Sequence, residues 1–134
     1  MRMGKETRPH VLVVDDHPEI AKKVAHVIER SGFRAACAFG GKEGLAAFSA
    51  ALSAGVPFSA VVTDFSMADL GGLAVAAAVK NLAPATAVVM LTAYAIDDDD
   101  LPRNVDAVVR KPPSEALLRS TLARIIGTSD ADRR

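Results

Sequence analysis

The segment VLVVDDHPEIAKKVAHVIER, residues 11–30, decides the fold because it joins a buried strand directly to an amphipathic helix. VLVV (11–14) is a short apolar run rich in β-branched residues, which is typical of a strand buried on both faces of a sheet. After two acids, apolar residues recur three and four positions apart, which predicts a helix with one buried face. Strand, polar turn and helix in this order predict one unit of an α/β fold.

Four further segments resemble this strand, and segments with helical spacing separate them. The predicted strands are RAACAF (34–39), FSAVVT (58–63), TAVVML (86–91) and DAVVR (106–110). The predicted buried helix faces are Ile20, Val24, Val27 and Ile28; Leu45, Phe48 and Leu52; Leu73, Ala76, Val79 and Leu82; and Leu118, Thr121, Leu122 and Ile125. Short connections between apolar strands favour a parallel sheet, so the prediction is a doubly wound α/β domain with helices on both faces.

Breaks between these elements carry their own signals. Gly32 lies where the first helix should end, and Gly40-Gly41 precede the second helix. Pro84 stops the third helix, while Ser114 is a suitable N-cap for the last one. Together these residues predict where four of the helices begin or end.

The fourth helix, expected between strands four and five, is the weak element. Residues 93–105 contain four consecutive acids, Asp97 to Asp100, and Pro102. Proline removes a helix hydrogen bond, so any helix here should be short. We expect a shortened fourth helix in a mobile segment.

The length and net charge of the chain limit the functions that it can have. The chain has 134 residues, and roughly 100–200 residues make one domain. We expect a flexible lead-in at 1–9, a domain at 10–127 and a tail at 128–134. Sixteen basic and sixteen acidic side chains balance to zero, which provides no field for nucleic acid or an anionic membrane.

The remaining composition favours a cytoplasmic protein. Cys37 is the single cysteine and cannot form an internal disulfide, which fits a reducing compartment. Residues 44–63 carry no charge, but Ser49, Gly55 and Pro57 interrupt them. We therefore expect no membrane-spanning helix.

Polar side chains follow four of the five predicted strands. Asp15 and Asp16 come after the first strand, Asp64 after the third, Thr92 after the fourth and Lys111 after the fifth. The carboxyl ends of parallel strands meet at one edge of a sheet, where ligands bind in open α/β folds. We expect these side chains to converge there.

The convergence predicts a phosphoryl site. Three neighbouring carboxylates repel one another and are tolerated mainly around a cation. Mg²⁺ takes one or two carboxylates together with water and phosphoryl oxygens. Asp64 can then attack phosphorus as a nucleophile, while Thr92 and Lys111 contact the phosphoryl oxygens.

Four motifs resemble those of response regulator receiver domains, the CheY-like family. They are VLVVDDHPE, VVTDFSMADLGGL, VVMLTAY and VVRKPPSEALL, in the family's order, and the similarity covers about residues 10–127. The resemblance implies a flavodoxin-like fold in which Asp64 accepts phosphate from a phosphohistidine of a sensor histidine kinase or a histidine phosphotransfer protein. It also implies that Asp15, Asp16, Asp64 and the backbone carbonyl of Ser66 hold Mg²⁺, and that the Lys111–Pro112 bond is cis.

Several positions depart from the family pattern. Receivers commonly have Pro and then Asp-Gly after the phosphoacceptor, where this chain has Ala68 and Gly71-Gly72, so we expect a more flexible loop. Val108 replaces the usual aromatic switch residue, and two interpretations of Tyr94 stay open: a substitute switch partner for Thr92, or a rim residue beside the pocket. The interval between Thr92 and Lys111 is about one helical turn short, which reshapes the output face.

The histidines do not have the spacing of a metal-ligand pair. His17 follows the acidic pair and could touch the metal site, but we interpret it as a loop residue beside the start of the first helix. His26 falls on the polar side of that helix, and His10 precedes the first strand.

Three functions remain open from the sequence. The first is a stand-alone receiver, which is not an enzyme and signals by binding a downstream protein or passing its phosphate on. The second is the receiver portion of a hybrid histidine kinase. The third is an aspartyl-phosphate phosphohydrolase, which is disfavoured because that superfamily needs an Asp-x-Asp arrangement after strand one, where this chain has Asp15-Asp16-His17.

Overall fold

A computed structural model describes residues 8–94 and 96–127. The five strands are β1 (His10–Val14), β2 (Arg34–Ala38), β3 (Ala60–Asp64), β4 (Ala87–Thr92) and β5 (Ala107–Arg110). The helices are α1 (Pro18–Arg30), α2 (Gly41–Ser53), α3 (Gly72–Leu82) and α4 (Glu115–Leu122), which continues as a π-helical turn, Ala123–Gly127. Most of the predicted lead-in and all of the predicted tail lie outside the described residues.

All five strands are parallel and lie in the order β2-β1-β3-β4-β5. The order reverses between β1 and β3, where successive connections turn to opposite sides of the sheet. The predicted doubly wound, flavodoxin-like α/β fold is thereby confirmed. Such a reversal opens a crevice at the carboxyl ends of the strands, and Val14 pairs with Thr63 beside it.

The strands bury both of their faces, as their continuous apolar runs predict. Val11 and Val13 pack with α1 and α4 on one face of the sheet. Leu12 and Val14 pack with α2 and α3 on the other face. Alternate residues of one strand thus belong to two different core layers.

Three helix residues that we predicted to be buried are exposed. Ile20, Leu73 and Leu82 are 37%, 44% and 47% exposed. In α1 the buried residues are Ala21, Val24, Ala25 and Ile28, and in α3 they are Gly72, Val75, Ala76 and Val79, so Val24, Ile28, Ala76 and Val79 are buried as predicted. At the first turns the small residues Ala21 and Gly72 take the buried positions, which leaves their larger neighbours Ile20 and Leu73 outside the contact with the sheet.

The predicted breaks agree with the structure. Gly32 follows α1 with a φ of +98°, a left-handed conformation that favours glycine. The hydroxyl of Ser114 caps α4 by accepting a hydrogen bond from Leu117 N at 2.9 Å. Only a 3₁₀ turn, Asp98–Asp100, is helical among the described residues between β4 and β5, which confirms the shortened fourth helix. The Lys111–Pro112 bond is cis, as expected.

Cys37 is free and half-buried, and burial raises the pKa of its thiol. Across residues 8–94 and 96–127, every helix falls short of the length and apolar content needed to cross a bilayer.

Candidate functional site

The predicted polar residues meet at the carboxyl edge of the sheet. Asp15 directly follows β1, where its backbone N–H donates to the carbonyl of Ala38 at 3.1 Å. Asp64 is the last residue of the central strand β3, and Thr92 is the last residue of β4. Asp15, Asp64 and Thr92 are almost fully buried, at 1%, 4% and 2% exposure. The strands therefore deliver polar groups into a largely desolvated edge.

Lys111 brings a positive charge to this edge from β5. Its backbone N–H donates to the carbonyl of Thr92 at 2.8 Å, which continues the ladder between β4 and β5. Its Nζ lies 2.5 Å from Asp64 Oδ1 and 3.9 Å from Asp15 Oδ2. The ammonium thus offsets part of the charge of two buried carboxylates.

Asp16 and His17 complete the cluster on the side of α1. One ligand atom each from Asp15, Asp16, His17 and Asp64 lies within 4.8 Å of the others. His17 occupies the N-cap position of α1, as expected for a residue at the helix start. Its Nδ1 also lies 3.1 Å from Asp16 Oδ1 and 3.3 Å from Asp15 Oδ1, so His17 does touch the acidic pair.

The carboxylates have the free acceptors that a cation site needs. Asp15 Oδ2 and Asp16 Oδ1 are buried and accept no hydrogen bond from the described residues. His17 Nδ1 approaches Asp16 Oδ1 without the alignment of a hydrogen bond. Buried carboxylate oxygens without donors are costly unless a cation is present. Oxygen donors of this kind suit a hard divalent ion, so the cluster can hold a metal.

A family model confirms the resemblance carried by the motifs. The response regulator receiver domain model matches residues 11–123. The chain belongs to this family. The assignment favours a receiver over a phosphohydrolase, in agreement with the position of Asp64 on the third strand rather than the first.

Known relatives agree with this receiver assignment. A response regulator receiver protein of Anaeromyxobacter is 31% identical over 87 residues, which are 65% of this chain and 34% of that protein. The receiver thus spans about a third of the length of the curated relative. Response regulator TrrA of Thermotoga maritima was solved in complex with Mg²⁺ and BeF and is 25% identical to this chain, with a TM-score of 0.76. The match covers 87% of this chain and 98% of the TrrA chain.

A second solved structure supports the fold of the receiver. A CheY-like receiver domain protein of Methanospirillum hungatei has a TM-score of 0.80 at 22% identity, covering 94% of this chain and 99% of its own. At this identity the likeness concerns the fold alone.

The other predicted switch residues are less buried than Asp15, Asp64 and Thr92. Tyr94 is 70% exposed, and its backbone N–H donates to the Thr92 hydroxyl at 3.2 Å. Val108 is half-buried on β5, where it pairs with Met90. Ser66 is exposed on the connection that follows Asp64. Their roles in switching or metal binding stay predictions.

One residue near the site escaped the sequence analysis. Asp69 lies on the β3–α3 loop, Phe65–Gly71, and its carboxylate accepts hydrogen bonds from Gly41 N and Lys42 N, both at 3.0 Å. These two bonds lower the pKa of Asp69 below its usual value. The available signal was indirect: the N-cap of α2 is Gly40, which has no side chain to satisfy the first helix N–H groups.

Proposed function

We propose that the protein is the phosphoacceptor of a two-component phosphorelay, with Asp64 as the residue that is phosphorylated. The observation that carries this proposal is the position of Asp64. Its carboxylate is buried at the end of the central strand, 2.5 Å from Lys111 Nζ, within a cluster of further carboxylates. A nucleophile, a cation-binding group and a fixed ammonium are the parts that phosphoryl transfer to a carboxylate needs.

In the proposed reaction, an Asp64 oxygen attacks the phosphorus of a phosphohistidine. A P–O bond forms to Asp64 while the P–N bond breaks, and the released imidazole nitrogen keeps the electron pair and takes up a proton. The donor would be a sensor histidine kinase or a histidine phosphotransfer protein. Lys111 and Thr92 would hold the phosphoryl oxygens, and Lys111 would offset their charge.

The proposed cofactor is Mg²⁺. Asp15, Asp16, Asp64 and the Ser66 carbonyl would hold it, and the free Asp15 Oδ2 and Asp16 Oδ1 support this donor set. When bound, the ion supplies positive charge next to the incoming phosphoryl group. The Mg²⁺ and BeF bound by the Thermotoga receiver support the same ligand class here.

The proposed output is a change in protein binding or onward transfer of the phosphoryl group.

The proposed folded unit is residues 10–127. The proposed location is the cytoplasm, where histidine kinases present their phosphohistidine. The protein would assist its own phosphorylation and would not act on a separate substrate. A pull-down with and without beryllofluoride, which mimics the phosphoryl group, would reveal a partner that depends on this state.

The replacement Asp64→Asn tests the proposal. We expect it to abolish labelling by acetyl phosphate in the presence of Mg²⁺, because an amide cannot form the acyl phosphate. Labelling is followed by mass spectrometry of the intact chain. Asp99→Asn, which makes the same change at an exposed position, should label like the parent. Equal labelling of Asp64→Asn and the parent would show that another residue accepts the phosphate.

A further inference from the structure

The β3–α3 loop connects the acidic cluster to the beginning of α2. The carboxylate of Asp69 holds Gly41 N and Lys42 N, each at 3.0 Å. The preceding residue, Ala68, donates its backbone N–H to Asp16 Oδ2 at 2.9 Å. Two adjacent residues of one loop therefore hold a helix on one side and a carboxylate of the cluster on the other.

The β3–α3 loop packs tightly against the start of α2. A Cβ atom added at Gly41 would lie 2.7 Å from both Leu70 Cβ and Leu70 O, closer than real contacts allow. Gly40 provides no side-chain cap for α2, so Asp69 supplies acceptors for N–H groups that would otherwise lack them. Close packing at Gly41 and the hydrogen bonds to Asp69 therefore favour the same position of the loop on α2.

The same loop has little to hold it in place by its own backbone preferences. Gly71, its last residue, and Gly72, the first residue of α3, restrict the chain less than any other residue would. Ala68 keeps the backbone N–H that a proline at this position would lack. The bond from Ala68 to Asp16 is therefore available, but its geometry depends on how firmly the loop is anchored.

Asp16 uses its two oxygens differently. Oδ2 accepts the Ala68 N–H, whereas Oδ1 is buried and accepts no hydrogen bond from the described residues. A carboxylate held by one oxygen presents the other in a fixed direction. Groups that orient a metal ligand in this way contribute strongly to metal affinity.

We propose that Asp69 is a positioning residue for the metal site: it locks the β3–α3 loop onto α2, and the locked loop orients Asp16 through the Ala68 N–H. The inference rests on the proposed function, because it assumes that Asp16 binds a divalent cation. Asp69, an exposed loop acid, would thus act on a carboxylate that it does not touch.

Three variants of the full chain test this inference by Mg²⁺ titration in a calorimeter. Asp69→Ala should weaken Mg²⁺ binding by about tenfold, in the range of losses seen when the support of a metal ligand is removed. Asp69→Asn keeps one carbonyl oxygen as an acceptor and should bind with intermediate affinity. It also serves as the test if the alanine variant does not fold.

The control is Asp106→Ala. Asp106 likewise accepts a backbone N–H from another strand, Val88 N at 2.8 Å, but it precedes β5 and lies at the opposite edge of the sheet. Its removal should lower the stability and leave the Mg²⁺ affinity unchanged. Comparison of the two alanine variants separates loss of stability from loss of positioning.

A second measurement does not need the metal. In the ¹H–¹⁵N spectrum of the metal-free protein, the Ala68 amide should move upfield in Asp69→Ala, because its hydrogen bond to Asp16 lengthens, and stay in place in Asp106→Ala. An unchanged Ala68 amide together with unchanged Mg²⁺ affinity would reduce Asp69 to a helix cap and leave the proposed function standing. A parent protein that binds no Mg²⁺ would overturn both.

Discussion

Lys111 is the residue whose charge balances the site. Its Nζ lies between Asp64 and Asp15, at 2.5 and 3.9 Å, and both carboxylates are buried. Without this ammonium, the three carboxylates would have, among the described residues, only the imidazole of His17 as a basic group beside them. The same charge would then have to be supplied by bound ligands.

The proposed contact of Lys111 with phosphoryl oxygens predicts the behaviour of Lys111→Ala. A hydrogen bond to a charged group contributes roughly 1.5–3 kcal/mol, so beryllofluoride binding at saturating Mg²⁺ should weaken about 10- to 100-fold. Thermal-shift titration measures this affinity. Lys80→Ala, which removes the 2.8 Å ion pair with Asp106, is the matched control and should bind like the parent. Undiminished binding by Lys111→Ala would rule out the contact.

Site residues could be predicted where they come directly at the end of an apolar strand in the sequence. Asp15, Asp16 and Asp64 follow apolar strands directly, so their place at the sheet edge could be derived from strand direction alone. Asp69 has no such marker, because its partners Gly41 and Lys42 belong to a different unit of the fold. Only the folded loop shows that Asp69 accepts hydrogen bonds from the start of α2.

Elements were predictable to different degrees. The five strands follow from short apolar runs and their parallel direction from the short connections between them, whereas their order in the sheet was implied by the family resemblance. The helix faces were predicted less completely, because Ile20 and Leu73 looked like core residues but are exposed, while the unpredicted Ala21 and Val75 lie against the sheet. Hydrophobic size alone does not set the buried face, because close packing places each position according to its direction on the helix and the space available there.

The close approach of α3 to the site strand gives a prediction at this scale. A Cβ added at Gly72 would lie 2.3 Å from the carbonyl oxygen of Asp64 and 3.0 Å from Phe65 Cα. Gly72→Ala should therefore destabilise the protein by about 1–3 kcal/mol or more, as overpacking does. Urea unfolding measures the change in the free energy of unfolding.

The control for this effect is Gly55→Asn. Gly55 has a φ of +80° and open space around its Cα, and asparagine tolerates the left-handed conformation. Its free energy of unfolding should change by less than about 1 kcal/mol. If Gly72→Ala were as stable as the parent, α3 could withdraw from Asp64 at no cost.

At the scale of the whole molecule, the site is a product of topology. Asp15 and Asp64 are far apart in sequence and become neighbours because β1 and β3 pair at the point where the strand order reverses. Lys111 joins them from the edge strand β5, and the β3–α3 loop ties Asp16 to α2. A ligand bound at this edge would therefore act on elements from both core layers.

This arrangement predicts that the ligand stabilises the entire domain. A ligand that binds only the folded state at about 100 times its Kd adds roughly 2.7 kcal/mol, which corresponds to a rise in Tm of about 10 °C for a chain of this size. Mg²⁺ with beryllofluoride should produce this rise in differential scanning calorimetry, and EDTA should remove it. Asp64→Asn should show no rise, because it lacks the carboxylate that completes the beryllofluoride site. An equal rise in that variant would place the ligand elsewhere on the molecule.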